Sequence, residues 1–93
     1  MFFESKKVEN CFADAENYEY RITLVGSEFI RALASQAQSI RTNERLRRPS
    51  FFASLPNGTR IKGILAKDII KVGYVPTQAI KQRRAFEQWL RSL

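Results

Sequence analysis

Residues 50–65 read "SFFASLPNGTRIKGIL", and this stretch decides the fold. Two β-favouring runs flank Pro56-Asn57-Gly58. The proline ring sets φ at the first corner of a turn, and Asn and Gly tolerate the backbone conformations that a tight hairpin demands. The pattern predicts two antiparallel strands, near 50–55 and 59–65. Downstream, "AKD" supplies a second turn and "IIKVGYV" (69–75) a third strand, completing a three-stranded meander.

Pro76 then breaks the sheet. From Thr77, an expected helix N-cap, "TQAIKQRRAFEQWLRSL" carries Ala79, Phe86, Leu90 and Leu93 at heptad-like spacing, flanked by Ile80 and Trp89. This is an amphipathic helix whose apolar stripe faces the core and whose Lys81, Arg84, Glu87, Gln88 and Arg91 face outward. Arg83 interrupts the stripe one turn before Phe86, so its stem is expected either to lie over the sheet with its charge at the rim or to touch a partner.

Upstream of the hairpin, "EFIRALASQAQSIRTNERL" (28–46) places Ile30, Leu33, Ala37 and Ile40 three and four residues apart. That spacing predicts a helix capped by Ser27, with Glu28 in its first turn, ending between Arg41 and Leu46 and stopped at the latest by Pro49. Before it, "YEYRITLV" (18–25) alternates apolar and polar residues as a half-buried strand does. Phe2, Phe3 and Val8 suggest a short first strand, with "ADAEN" (13–17) an acidic, exposed connection. The expected order is β(β)αβββα. This is a single α+β domain over residues 1–93, built as a small two-layer sandwich of antiparallel sheet and two helices.

Charge is distributed unevenly. The net charge is +7, yet residues 1–30 hold three Lys or Arg against six Asp or Glu. Residues 31–93 hold thirteen against three. Such polarisation points to a polyanionic or acidic partner. The densest cluster is "RTNERLRRP" (41–49). On the expected helix Arg41, Arg45 and Arg48 fall at i, i+4 and i+7 on one face, with Arg47 beside them, spaced to meet successive phosphates. A helix C-terminus accounts for one or two cations but not for four. Arg60 and Lys62 share one face of the hairpin, and Lys81 and Arg84 extend the positive surface on the last helix.

Several chemistries lack their residues. The chain has no histidine and one cysteine, Cys11, so Ser-His or Cys-His catalysis, a His or Cys metal cluster and an internal disulfide are ruled out. The four glycines are scattered rather than gathered into a phosphate loop. Neither a catalytic function, a cofactor nor a metal is expected. No signal peptide or membrane span is legible, which makes a cytoplasmic protein the expectation.

Two functions fit. One is a non-enzymatic DNA- or RNA-binding protein contacting the phosphate backbone through Arg41, Arg45, Arg47, Arg48, Arg60, Lys62, Lys81 and Arg84. The other is a small regulator or inhibitor, of the type mobile elements carry, that binds an acidic protein surface or an enzyme that itself handles nucleic acid, through Phe51 or Phe52, Tyr74, Trp89 and the acidic N-terminal loop. Phe51 and Phe52, being adjacent on a strand, must point to opposite faces. An open sheet edge or the last helix would also serve a homodimer.

Overall fold

In the computed structural model, which describes residues 1–45 and 47–93, the Pro56-Asn57-Gly58 hairpin forms as expected. Leu55 N–H donates to Thr59 O at 2.8 Å and Gly58 N–H to Leu55 O at 3.0 Å. Gly58 takes φ +95°, a left-handed conformation that favours glycine. The Asn57 side chain accepts from Thr59 N–H at 3.0 Å.

The strands and helices follow the order β1 (Phe3–Val8), β2 (Glu16–Ile22), α1 (Gly26–Leu33), β3 (Ser39–Asn43), β4 (Ser50–Ser54), β5 (Arg60–Ile64), β6 (Ile69–Tyr74) and α2 (Ala79–Ser92). The sheet is antiparallel throughout, with strand order β1-β2-β6-β5-β4-β3. It is therefore a four-stranded meander, β3 to β6, zipped onto an N-terminal hairpin by the β2–β6 pairing. The class is α+β as expected, and both helices lie on one face.

The first helix is where structure and expectation part. It ends at Leu33 rather than near Arg41, and residues 39–43 form β3 instead. The possible extension toward Leu46 is not formed over residues 42–45 either, and Leu46 itself lies outside the described residues. Ser39, Ile40, Thr42 and Asn43 are weak helix formers, and β4 offers them a ladder. The switch is visible in the hydrogen bonds. Ala37 N–H still donates back to Leu33 O at 2.9 Å, whereas Gln38 N–H donates to Ser54 O at 2.8 Å. Ile40, counted as part of a helical stripe, pairs with Ala53 across the β3–β4 ladder.

Both helix starts also differ by a residue or two. Helix α1 begins at Gly26, where the Glu28 carboxylate accepts from Val25 N–H at 3.2 Å. Thr77 sits in a 3-10 turn, Pro76–Gln78, that leads into α2.

The core lies between the helices and one sheet face. Tyr20, Ile22, Phe51, Ala53, Ile61, Ile70, Val72 and Tyr74 rise from the strands to meet Phe29 and Leu33 of α1 and Ala79, Phe86 and Leu90 of α2. Trp89 joins the helices, its ring 5.9 Å from both Phe29 and Phe86. A polar line crosses this apolar layer. Tyr74 and Tyr20 hydroxyls lie 2.6 Å apart, Tyr20 donates to Glu87 Oε2 at 2.8 Å, and Arg83 Nε donates to the same oxygen at 2.7 Å. Burial, reinforced by the Glu87 carboxylate, pushes both phenols well above their ordinary range. No helix among the described residues is long and apolar enough to cross a membrane.

Candidate nucleic-acid interface

With both helices on one face, the other face of the sheet is left for the polar half of each strand's alternation. The register across all six strands places Arg41 (β3), Phe52 (β4), Lys62 (β5), Lys71 (β6), Glu19 (β2) and Lys6 (β1) in a single cross-strand row on this open face. Arg60 and Arg21 stand in the neighbouring rows. Phe52 is 41% exposed, set between Arg41 and Lys62.

The acid in this row is engaged on both sides. Glu19 accepts a short hydrogen bond from Lys71 and pairs with Lys6 at 3.4 Å. The Lys71 bond above all, and Lys6 after it, holds its carboxyl below the usual carboxylate range. The row thus has a balanced half near β1 and a cationic half, Lys62 to Arg41, near β3.

The connection between β1 and β2 folds back over the middle of the open face rather than extending into solvent. The Phe12 ring sits against Gly73, where even a methyl group would come within 2.7 Å of it. Lys62 Nζ and the Arg60 guanidinium lie 4.8 and 5.1 Å from the Phe12 ring centroid, and Phe52 meets its edge at 5.7 Å. The same two cations donate to the loop's carbonyls, Lys62 to Cys11 O at 2.5 Å and Arg60 to Ala13 O at 2.9 Å. From beneath, Asn17 accepts from Phe12 N–H at 3.1 Å and donates to Phe12 O at 3.2 Å. Arg60 and Lys62 therefore have a structural task as well as an outward charge. An ammonium has three donors and a guanidinium five, so neither is exhausted by one carbonyl.

At the β3 end, residues 44–49 join β3 to β4. Arg45, Arg47 and Arg48 stand exposed on this loop, where the Asn43 side chain accepts from Arg45 N–H at 3.1 Å. They do not line a helix face, because the chain here is a strand and a loop. Among the described residues, none of Arg41, Arg45, Arg47 and Arg48 has an acidic partner within ion-pair distance, in contrast to Lys6, Lys71, Arg83 and Arg91. The cluster keeps its neighbourhood but changes its support, and it adjoins the cationic half of the open face.

The remaining candidates fall elsewhere. Lys81 and Arg84 are exposed on the outer side of α2, across the molecule from the open face. Arg84 helps line a shallow groove of about 480 Å³ with Glu16, Tyr18, Arg83, Glu87 and Arg91. Arg83 lies over the Tyr18 ring at 4.3 Å, as its position in the stripe suggested. Phe51 and Tyr74 are core residues and Trp89 is half-buried between the helices, so Phe52 alone of the four aromatic candidates offers a ring to a partner. The sequence reading missed Phe12, Lys71 and the pairing of Glu19, and it set Glu87 on the outward side of α2, where the carboxylate is instead turned inward to Tyr20 and Arg83. Lys71 had a signal, its alternation with Ile70 and Val72; Phe12 had none, since a loop's landing site is not periodic.

Comparison with known protein families, curated proteins and solved structures returned no match.

Proposed function

We propose that this protein is a non-enzymatic nucleic-acid-binding protein that takes a single strand across the β3–β4–β5 part of its open sheet face. The observation that carries the reading is the row Arg41–Phe52–Lys62, with three more arginines on the adjoining loop that lack an acidic partner among the described residues. An exposed aromatic ring between cations is the arrangement on which a base stacks while its flanking phosphates are neutralised. A duplex hides its base faces, so Phe52 would contribute to single strands only. Lys81 and Arg84 are too far round the molecule to join this surface and would add only to long-range attraction. The reading as a protein-binding regulator is the weaker one, since three of its four aromatic anchors serve the core.

The test is fluorescence anisotropy with labelled single- and double-stranded DNA and RNA over a salt series. Phe52→Ala should cost a single strand about 1–3 kcal/mol, roughly fivefold to a hundredfold in affinity, and leave duplex binding unchanged. Replacing Arg45, Arg47 and Arg48 by Ala should weaken binding to all sequences and flatten the log–log salt slope by up to about 2. Absence of binding at low salt, or full affinity in both variants, would overturn the assignment.

A further inference from the structure

The edge strand β1 has one unpaired side. Its sequence over Phe3–Val8 is Phe-Glu-Ser-Lys-Lys-Val, preceded directly by Phe2, and one side of it is occupied by β2 while the other is a free sheet edge. On the open face it presents Glu4, Lys6 and Val8, of which Glu4 and Lys6 are exposed, and Phe2, the residue just before the strand, is 90% exposed. A large apolar ring so fully in water at a free edge calls for a partner.

We propose that two copies of this chain dimerise by antiparallel pairing of their β1 edges about a two-fold axis at Ser5. In that register Glu4 faces Lys6 of the partner subunit, Phe2 faces Val8 of the partner subunit, and the converse contacts repeat by symmetry. Opposite charges and apolar pairs facing one another across strands are the arrangements that stabilise a sheet. The helices of both copies then lie on one side, and the register can shift only in steps of two residues. A shift one way sets Glu4 against Glu4 of the partner subunit, and a shift the other way sets Lys6 against Lys6 of the partner subunit. Charges on an edge strand ordinarily deter association; here Glu4 deters one adjacent register and Lys6 the other, and the register between them is left.

The charge sequence along the open face supports the same register. Lys71, Glu19 and Lys6 alternate in sign within one copy. Beyond the edge, Glu4 of the partner subunit and then Arg21 of the partner subunit continue the alternation, because Glu4 and Arg21 are themselves opposite one another in the β1–β2 ladder. At the other edge, β3 carries Arg41 and no acid, so it has no such complement. The dimer would be one continuous sheet with its two arginine loops at the outer ends. The pairing does not depend on nucleic acid, and measuring it on the protein alone separates it from the proposed function.

Sedimentation equilibrium over a range of concentrations tests it. The unmodified protein should show a reversible monomer–dimer equilibrium. Glu4→Lys and Lys6→Glu should each weaken it about tenfold or more, because each turns two favourable pairs into two repulsive ones. An equimolar mixture of the two variants should recover the dimer. The Glu4→Lys chain is positive at both positions and the Lys6→Glu chain negative at both, so every facing pair in the mixed dimer is again of opposite sign. Lys6→Glu also disturbs the Glu19 pair, so circular dichroism should accompany it. An independent variant, Ser5→Cys with Cys11→Ser, keeps both charges and should cross-link to a disulfide dimer on mild oxidation. A protein that stays monomeric to millimolar concentration, a dimer indifferent to both charge reversals, or a mixture that fails to reassociate would overturn the proposal.

Discussion

Replacing Glu87 by Ala should destabilise the fold by about 2–3 kcal/mol. Glu87 Oε2 accepts from the Tyr20 hydroxyl at 2.8 Å and from Arg83 Nε at 2.7 Å, while Oε1 lies 3.7 Å from Arg91. Its side chain is 13% exposed. A hydrogen bond to a charged acceptor contributes about 1.5–3 kcal/mol. The Arg83 pair adds under about 1 kcal/mol because its guanidinium is 41% exposed and screened by water. Arg91, more exposed and farther away, adds little. A domain of this size has roughly 5–14 kcal/mol in total, so the loss should lower Tm by roughly 10–20 °C. Urea and thermal denaturation followed by circular dichroism provide the assay, with Arg91→Ala as the internal control and Tyr20→Phe completing a double-mutant cycle. Glu87→Ala within about 0.5 kcal/mol of the parent, or no coupling to Tyr20, would show that the carboxylate is solvated rather than built into the core.

Three further outcomes are expected. Stability should fall steeply above about pH 10: Tyr20 and Tyr74 have raised pKa values in the folded state, so their contribution is complete below the unfolded phenol value near 10 and is lost as pH rises, by up to about 2.7 kcal/mol per unit for the pair. Phenolate absorbance coincident with unfolding checks it, and Tyr20→Phe with Tyr74→Phe should remove the slope. Thr59→Val should leave stability unchanged or raise it by about 1 kcal/mol, because the Thr59 hydroxyl is fully buried without a hydrogen-bonding partner among the described residues; a loss above about 1 kcal/mol would mean that the hydroxyl is satisfied. Gly73→Ala should displace Phe12 and cost about 1–2 kcal/mol, the burial of the ring less the gain from removing a strand glycine. Amide exchange in residues 9–15 should rise with it, and unchanged protection there would refute the close approach.

The hairpin at Pro56 was legible because its residues act locally. A ring that sets φ, a glycine that accepts φ +95° and an asparagine that bonds two residues on all work within four residues of chain. The same holds for β6 and α2, whose periods of two and near three and a half are unambiguous over their lengths. Residues 34–43 were not legible in this way. Ile30, Leu33, Ala37 and Ile40 fit a helical period, but local preference in "SIRTN" is weak enough for the β4 edge to decide, and that edge exists only once the sheet has assembled.

For the candidate site the division is similar. The amino-acid sequence alone determines the charge imbalance, the absence of histidine, the density of arginine at 41–48 and the opposite facing of Phe51 and Phe52, since these follow from composition and from the alternation of a single strand. Tertiary structure decides which charges meet. Lys71 and Glu19 lie 52 residues apart, Lys62 and Cys11 51, and Glu87 and Tyr20 67. Each pairing depends on strand register, and register is set by the collective fit of six strands and two helices rather than by either partner. The order β1-β2-β6-β5-β4-β3 turns four separated cations into one row, sends Lys81 and Arg84 to the far side, and leaves β1 as an edge.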